Sequence, residues 1–241
     1  MIFLFIILLL LLQLILYFMQ KIYSLITIIL IFFCSRINAQ TEQTITHGKY
    51  TLHFSGNDAG FSPQLAQRLI DVFFIVYPKL AKEYNKQTLK KVEFFIDTSY
   101  HGVAATDNGR VVFSSAYMSK HPADVDVVTH EVMHIVQNYG DSDGPGWLTE
   151  GIADFARNKF GVDNAAAHWR MPDYKPTQHY DNSYRITARF LVWLEKNVKK
   201  GIVKKLDEGL RNHIYTDVIW IVLTGKNLDE LWEAYGKNPA I

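Results

Sequence analysis

The sequence predicts an α+β fold, with a small mixed sheet in the N-terminal part and a mainly helical C-terminal half. Two observations support this. Before residue 120, short segments rich in β-branched and aromatic residues lie between turn signals, as expected of strands. After Pro122, apolar residues recur at helical spacing almost to the end of the chain. Strands followed by a run of helices are typical of an α+β domain.

The predicted elements follow the chain in order. Strands are expected at residues 44–54, 91–96 and 110–117, and helices at 63–84, 124–139, 146–160, 184–198, 202–212 and 228–235. Asn108 and Gly109 form the turn before the third strand, while Gly140 and Gly161 end two of the helices. Residues 40–241 contain neither an internal repeat nor a low-complexity linker, so we predict a single domain there.

The first 39 residues differ from the rest, because Lys21 and Arg36 are their only charges. From Met19 onward the order of a short basic region, an apolar run and a small residue at Ala39 indicates a secretory signal cleaved before residue 40. Met19 is then the expected true start, and residues 1–18 are an over-extended reading frame. The alternative is a membrane anchor, since residues 1–18 are almost long enough to span a bilayer.

The amino-acid composition restricts the cellular location expected for the protein and the classes of partner that it could bind. Cys34 is the only cysteine and would leave with the signal. The residues before it lack the small side chain that precedes a lipidated cysteine, so a lipoprotein is not expected. The remainder has 23 basic and 24 acidic residues, so it lacks the basic surface of a nucleic-acid-binding protein. We therefore expect a secreted or periplasmic monomer with no stable membrane association after signal cleavage.

The pattern H-E-x-x-H occurs at His130, Glu131 and His134, inside a predicted helix. Histidines four residues apart lie on the same helix face, so both imidazoles can bind one metal ion. Glu131 is rotated from His130 by one residue and lies beside the metal. There its carboxylate can take a proton from a water bound to zinc.

A third ligand is expected in the following helix. Gly140, Gly144, Pro145 and Gly146 allow the chain to turn back after the first helix. Glu150 then lies early in the second helix and can face the two histidines, which favours a zinc site with three protein ligands. Asp154, four residues later, can hydrogen-bond a ligating histidine and determine its tautomer.

Several segments resemble the plant basic secretory protein family and its bacterial relatives, a group of zinc peptidases of the gluzincin kind. The similar segments are HEVMHIVQ with EGIADFAR, then GRVVFSSAYM, YDNSYRITARFLVWLE and TGKNLDELWEAY. They extend from Gly109 to the end of the chain, whereas residues 44–99 match only in general layout. The chain is not basic, so the family name does not apply literally.

The resemblance implies a zincin-like fold with an active-site helix and a zinc-dependent peptidase acting on peptides or proteins. The implied roles are zinc ligands at His130, His134 and Glu150, a general base at Glu131 and a histidine partner at Asp154. For the donor that stabilises the oxyanion we expect Tyr184, with Tyr180 and His179 as alternatives. Gln137 is expected to contribute to packing between the two helices, and Arg189 to pair with a carboxylate.

The expected reaction is hydrolysis of a peptide bond by a zinc-bound water that Glu131 activates. The strand at 110–118 is expected to form the lip of the cleft, where an extended peptide could pair with it. Two alternatives remain at this point. One is a zinc-binding interaction or defence protein with little or no proteolysis, and the other is a zinc hydrolase of a non-peptide amide.

Overall fold

The computed structural model describes residues 16–21, 42–140 and 144–241. The chain divides into two compact units, Met1–Ala39 and Gln40–Ile241. In the first unit residues 16–21 are helical, and the predicted signal, its cleavage after Ala39 and the alternative anchor lie largely outside the described residues. Among the described ranges, no helix combines the length and the apolar character needed to cross a bilayer.

The second unit begins with strands and ends with helices. The strands are β1 (Gln43–His47), β2 (Tyr50–Gly56), β3 (Lys91–Asp97), β4 (Ala104–Asp107) and β5 (Arg110–Ser114). The helices are α1 (Pro63–Glu83), α2 (Ser115–Lys120), α3 (Val127–Gln137), α4 (Gly146–Phe160), α5 (Tyr184–Asn197), α6 (Ile202–Arg211), α7 (Val218–Thr224) and α8 (Leu228–Lys237), with a 3-10 turn at Tyr180–Asn182 before α5.

The five strands form one sheet in the order β1-β2-β3-β5-β4. β2 pairs with β3 and β3 with β5 in parallel, while β1 and β4 pair with their neighbours in antiparallel fashion. The predicted α+β fold with a small mixed sheet is therefore confirmed. β4 is an edge strand of this sheet, and it lies between residues 96 and 110, where no strand was predicted.

Three other local predictions differ from the structure. The single strand expected at 44–54 is a hairpin of β1 and β2, because Gly48 adopts a left-handed backbone (φ +58°) in the turn between them. The strand expected at 110–117 ends at Ser114, whose hydroxyl accepts a hydrogen bond from the Tyr117 N–H and begins α2. Helix α7 was not predicted.

Helix α1 packs its apolar face against the sheet and against α3. The Ser62 hydroxyl accepts from the Leu65 N–H at the start of α1, and Pro63 occupies the first helical position. Phe73 of α1 contacts Phe94 of β3 edge-to-face, with ring centroids 5.5 Å apart. This core supports α3, the helix that carries the H-E-x-x-H pattern.

Helices α4 and α5 approach closely at Gly151. A Cβ atom on this residue would lie 2.2 Å from the Thr187 Cγ2 atom, so a larger side chain would force the two helices apart. The glycine directly after Glu150 thus has a packing function. It allows the N-terminal end of α5, where Tyr184 lies, to sit against the helix that carries Glu150 and Asp154.

Candidate metal centre

Helix α3 presents His130, Glu131 and His134 at the floor of a cleft. Of its residues only His134 is partly exposed, and the others are buried. The helix ends at Asn138, which adopts a left-handed backbone (φ 45°) that Asn tolerates better than most residues. This ending begins the reversal of the chain towards α4.

Two hydrogen bonds between side chains and the neighbouring helix set how α4 runs against α3. Gln137, at the end of α3, donates to the carbonyl of Thr149 near the start of α4. His130, near the start of α3, contacts Asp154 in the second half of α4. Because residues late in one helix meet residues early in the other, the two helices run antiparallel. This brings Glu150 opposite both histidines.

Three donor atoms converge between these helices. His130 Nε2 lies 3.2 Å from His134 Nε2 and 3.1 Å from Glu150 Oε2, and His134 Nε2 lies 3.6 Å from the same oxygen. Ligand atoms bound tetrahedrally to Zn²⁺ at about 2.0–2.1 Å are roughly 3.3 Å apart. Among the described residues, these three form the group of His, Cys, Asp or Glu side chains whose donor atoms fit around one ion.

The hydrogen bonds on the far side of each imidazole favour metal binding. His130 Nδ1 lies 2.7 Å from Asp154 Oδ1, and a carboxylate only accepts. His134 Nδ1 lies 2.7 Å from Gln137 Oε1, which is the accepting end of the amide because its nitrogen donates to Thr149. Both histidines therefore carry a proton on Nδ1. Their Nε2 lone pairs and the carboxylate oxygen point at one another, which is favourable only around a cation.

In the absence of a metal, a proton provides that cation. Burial by itself lowers the pKa of His130, but hydrogen bonds with Asp154 and Glu150 outweigh it and raise the pKa to about 10. Burial raises the pKa of Glu150, but hydrogen bonds from the two histidines lower it well below its usual range. The two carboxylates therefore favour the protonated form of His130 in the metal-free protein.

Glu131 is held by the edge strand. The Thr106 hydroxyl of β4 lies 2.7 Å from Glu131 Oε2 and 3.1 Å from the backbone carbonyl of the same residue. The carboxylate is buried but lines the cleft, next to the converging donor atoms. Glu131 thus lines the same cleft as the three candidate ligands.

Tyr184 lines the same cleft. Its ring stacks near that of His130, with centroids 6.1 Å apart and an interplanar angle of 18°, and 55% of the residue is exposed. The charge of Glu150 is the main cause that raises the pKa of Tyr184, so its hydroxyl keeps its proton at neutral pH. Ser183 and Tyr184 both have positive φ angles (67° and 49°), a strained backbone that is common at functional sites.

The two alternative oxyanion donors are not among the residues that line this cleft. The Tyr180 hydroxyl donates to Asp229 at 3.0 Å and lines a different cavity. His179 Nδ1 lies 2.8 Å from Asp181 Oδ1, and its ring packs on that of Tyr180. Of the three residues considered from the sequence, Tyr184 is the one that reaches the cleft.

The cleft has a volume of about 1050 Å³ and two different walls. One wall is the edge strand β4 with Val103 before it. At the other, the buried guanidinium of Arg157 is paired with Asp124 and lies 4.6 Å from the ring of Trp169. The Tyr117 hydroxyl donates to Asp124 at 2.7 Å, and burial together with this carboxylate raises the pKa of Tyr117 to about 12.

Several residues have partners that the sequence did not reveal. Gln137 joins the two helices as expected, but it also accepts a hydrogen bond from His134. The one sign of this second contact in the sequence is that Gln137 lies one helical turn after His134. Thr106 lies in β4, a strand that was not predicted, and its hydroxyl reaches Glu131. Arg189 was expected to pair with a carboxylate. In the part of the chain that the structure describes, it donates instead to the hydroxyl of Tyr235 and the carbonyl of Pro239. The lip of the cleft is β4, not the strand at 110–118, because β5 lies inside the sheet.

One known structure has a similar fold, and a second aligns more weakly. Legionella pneumophila aminopeptidase A, solved in complex with aspartic acid, is similar with a TM-score of 0.53 and 13% identity, over 81% of this chain and 27% of that chain. The M1 zinc metallopeptidase from Deinococcus radiodurans aligns with a TM-score of 0.41 and 16% identity, over 83% of this chain and 47% of that chain. The chain thus spans about a quarter and about half of these two proteins. The zincin-like fold expected from the sequence is confirmed.

Sequence comparison identifies the family. No curated protein matches the chain significantly. The family model described as BSP, peptidase of plants and bacteria, matches residues 35–235 and so covers most of the chain, including α3, α4 and α5. The chain therefore belongs to the BSP family of plant and bacterial peptidases, the family that its motifs resemble.

Proposed function

We propose that this protein is a zinc-dependent peptidase of the gluzincin kind, with His130, His134 and Glu150 as the zinc ligands. The observation that carries the proposal is the convergence of two Nε2 atoms and one carboxylate oxygen within 3.1–3.6 Å of one another. Three protein ligands leave a fourth position for water or substrate, as in catalytic rather than structural zinc sites. Asp154 and Gln137 orient the two histidines from behind.

Bound zinc would supply Lewis-acid chemistry, lowering the pKa of a coordinated water and polarising the attacked carbonyl. Glu131 is the general base: its carboxylate accepts a proton from the attacking water and later gives a proton to the amine nitrogen. A C–O bond forms and the C–N bond breaks, so the products are a carboxylate and an amine. Thr106 keeps the Glu131 carboxylate oriented by the hydrogen bond of 2.7 Å.

Tyr184 is our candidate for the donor to the oxyanion. Its raised pKa keeps the hydroxyl protonated, and its position beside the His130 ring lets it face a carbonyl bound in the cleft. An extended peptide would lie along β4, because an edge strand offers unpaired backbone groups to a substrate. Thr106 of β4 donates a hydrogen bond to Glu131, so the strand that would pair with the substrate also positions the general base.

We also propose that the protein is exported, on the evidence of the apolar leader with Lys21 and Ala39. The N-terminus of the protein recovered outside the cytoplasm tests this. Gln40 is the expected first residue. A mature chain that still begins at Met1 or Met19 would contradict the proposal without affecting the assignment of the zinc site.

Digestion of a diverse peptide library by the zinc-loaded chain tests the activity. A Glu131→Gln variant is expected to keep its zinc and lose about 10²- to 10⁴-fold in turnover, since it cannot take a proton. Glu233→Gln, at an exposed position of α8, is the matched control and should cleave normally. A folded, zinc-containing protein that cuts no peptide would instead favour a binding role or a non-peptide amide substrate.

A further inference from the structure

Helix α7 exposes an apolar face to solvent. Its seven residues, VIWIVLT, contain no charge, and Trp220 is fully buried. Val218, Ile221 and Val222 have the i, i+3, i+4 spacing of one helix face and are 58%, 50% and 74% exposed. Ile214, just before the helix, is 69% exposed. A surface helix normally turns polar residues outward, so this contiguous patch is unusual for a protein surface.

Lysines border this apolar patch. Residues 196–205 contain five lysines and no acidic residue. The Lys199 Nζ donates to the carbonyl of Leu223 at 2.9 Å, which places this ammonium at the C-terminal end of α7. Lys226 follows α7 directly, after Gly225, and is exposed, as is Lys200. The border of the patch at this end of the helix is therefore cationic.

Most carboxylates near these lysines have other hydrogen-bond partners. The Glu195 carboxylate accepts hydrogen bonds from the N–H groups of Gly201 and Val203 at the start of α6, and so faces that helix end. Glu208 pairs with Lys205 at 2.8 Å. Asp217 lies at the opposite, N-terminal end of α7. Asp229 and Glu230 follow Lys226 in the first turn of α8, where Asp229 accepts from the Tyr180 hydroxyl and Glu230 from the Asn227 N–H. Among the salt bridges of the described residues, none joins Lys199, Lys200 or Lys226 to a carboxylate, so these three ammonium groups supply positive charge beside the C-terminal half of α7.

We propose that α7 and its lysine border dock on an anionic phospholipid bilayer. Protein interfaces are depleted in lysine and enriched in aromatic residues and arginine, whereas the exposed residues here are aliphatic side chains and lysines. Aliphatic insertion at the level of the headgroups, combined with lysine attraction to anionic lipids, is the usual means of peripheral membrane binding. The inference revises the expectation of no stable membrane association and does not depend on the peptidase proposal.

A fluorescent probe on α7 tests the proposal directly. In a Cys34→Ser background, Val222→Cys labelled with an environment-sensitive NBD group is mixed with phosphatidylcholine vesicles with and without phosphatidylglycerol. The emission should shift to the blue and brighten only with the anionic vesicles. The matched control is Ile75→Cys, an exposed aliphatic position on α1, whose probe should not respond. Because each probe reports its own surroundings, binding through the N-terminal leader cannot mimic this result.

A charge-deletion variant tests the contribution of the lysines. Lys200→Gln combined with Lys226→Gln should require roughly ten-fold more anionic lipid for half-maximal response, while Lys86→Gln with Lys120→Gln should require the wild-type amount. No response at position 222, or an equal response to neutral vesicles, would overturn the proposal. A response without vesicles that grows with protein concentration would also overturn it, since a second copy of the chain would then cover the patch.

Discussion

Replacing Gln137 by methionine should show how much the orientation of His134 contributes to zinc affinity, because the variant keeps all three candidate ligands. Methionine has a similar volume and leaves no polar atom, so His134 Nδ1 loses its acceptor at 2.7 Å and Thr149 loses a donor at 2.9 Å. Gln137 is 1% exposed, so water cannot easily replace the lost acceptor. Loss of such a partner usually costs 10- to 100-fold in metal affinity, which corresponds to about 1.4–2.7 kcal/mol.

Competition with a chromogenic chelator at constant pH measures the zinc affinity of each variant. Gln137→Glu is the matched control, because its carboxylate still accepts from His134 but can no longer donate to Thr149. It should keep zinc affinity within a few-fold of the wild type, while the zinc-free protein loses about 1–3 kcal/mol of unfolding free energy because the Thr149 carbonyl is left without its donor. Wild-type zinc affinity in Gln137→Met would refute the reasoning. An equal loss in both variants would assign the effect to the contact between helices.

Three further predictions concern the same cleft. Thr106→Val should lower kcat about ten- to hundred-fold with unchanged zinc content, since Glu131 loses a charge-assisted hydrogen bond of about 1.5–3 kcal/mol. Thr106→Ser keeps the hydroxyl and should have nearly the wild-type kcat. An unchanged kcat for the valine variant would remove the threonine from the mechanism. Tyr184→Phe should lower kcat about 10²-fold while zinc binding stays the same, and a loss of less than two-fold would exclude it as the oxyanion donor. Because hydrogen bonds with two carboxylates raise the pKa of His130 to about 10 against the effect of burial, zinc must displace a proton at neutral pH. The apparent zinc association constant should therefore rise about ten-fold per unit from about pH 6 to about pH 8 by chelator competition, and a constant affinity would contradict the assignment of that proton.

Much of the fold could be predicted because local patterns and tertiary structure agree there. The helix expected at 146–160 has the observed bounds, since its apolar spacing and the flanking glycines indicate the same limits. The strand expected at 110–117 was too long because Ser114 can either continue a strand or cap a helix, and packing selects the second. Helix α7 was missed because an apolar run of seven residues does not distinguish a strand from a short helix.

The sequence by itself indicated which side chains meet at the candidate metal site. Side chains four residues apart on one helix face must lie together, so the pairing of His130 with His134 follows from their spacing alone. The glycine-rich break also indicated that the chain turns back and brings Glu150 towards them. These conclusions depend on local geometry and on the chain reversal that follows directly from it.

Only the tertiary structure decided which residues support the site from other parts of the chain. Thr106 reaches Glu131 from a strand that precedes it by 25 residues, and Tyr184 approaches because Gly151 lets α5 pack closely on α4. The lysine border of α7 likewise depends on a distant contact, since Lys199, in the segment between α5 and α6, lies 24 residues before its partner Leu223. Contacts over such separations depend on the packing of the whole domain, and no local pattern in the sequence specifies them.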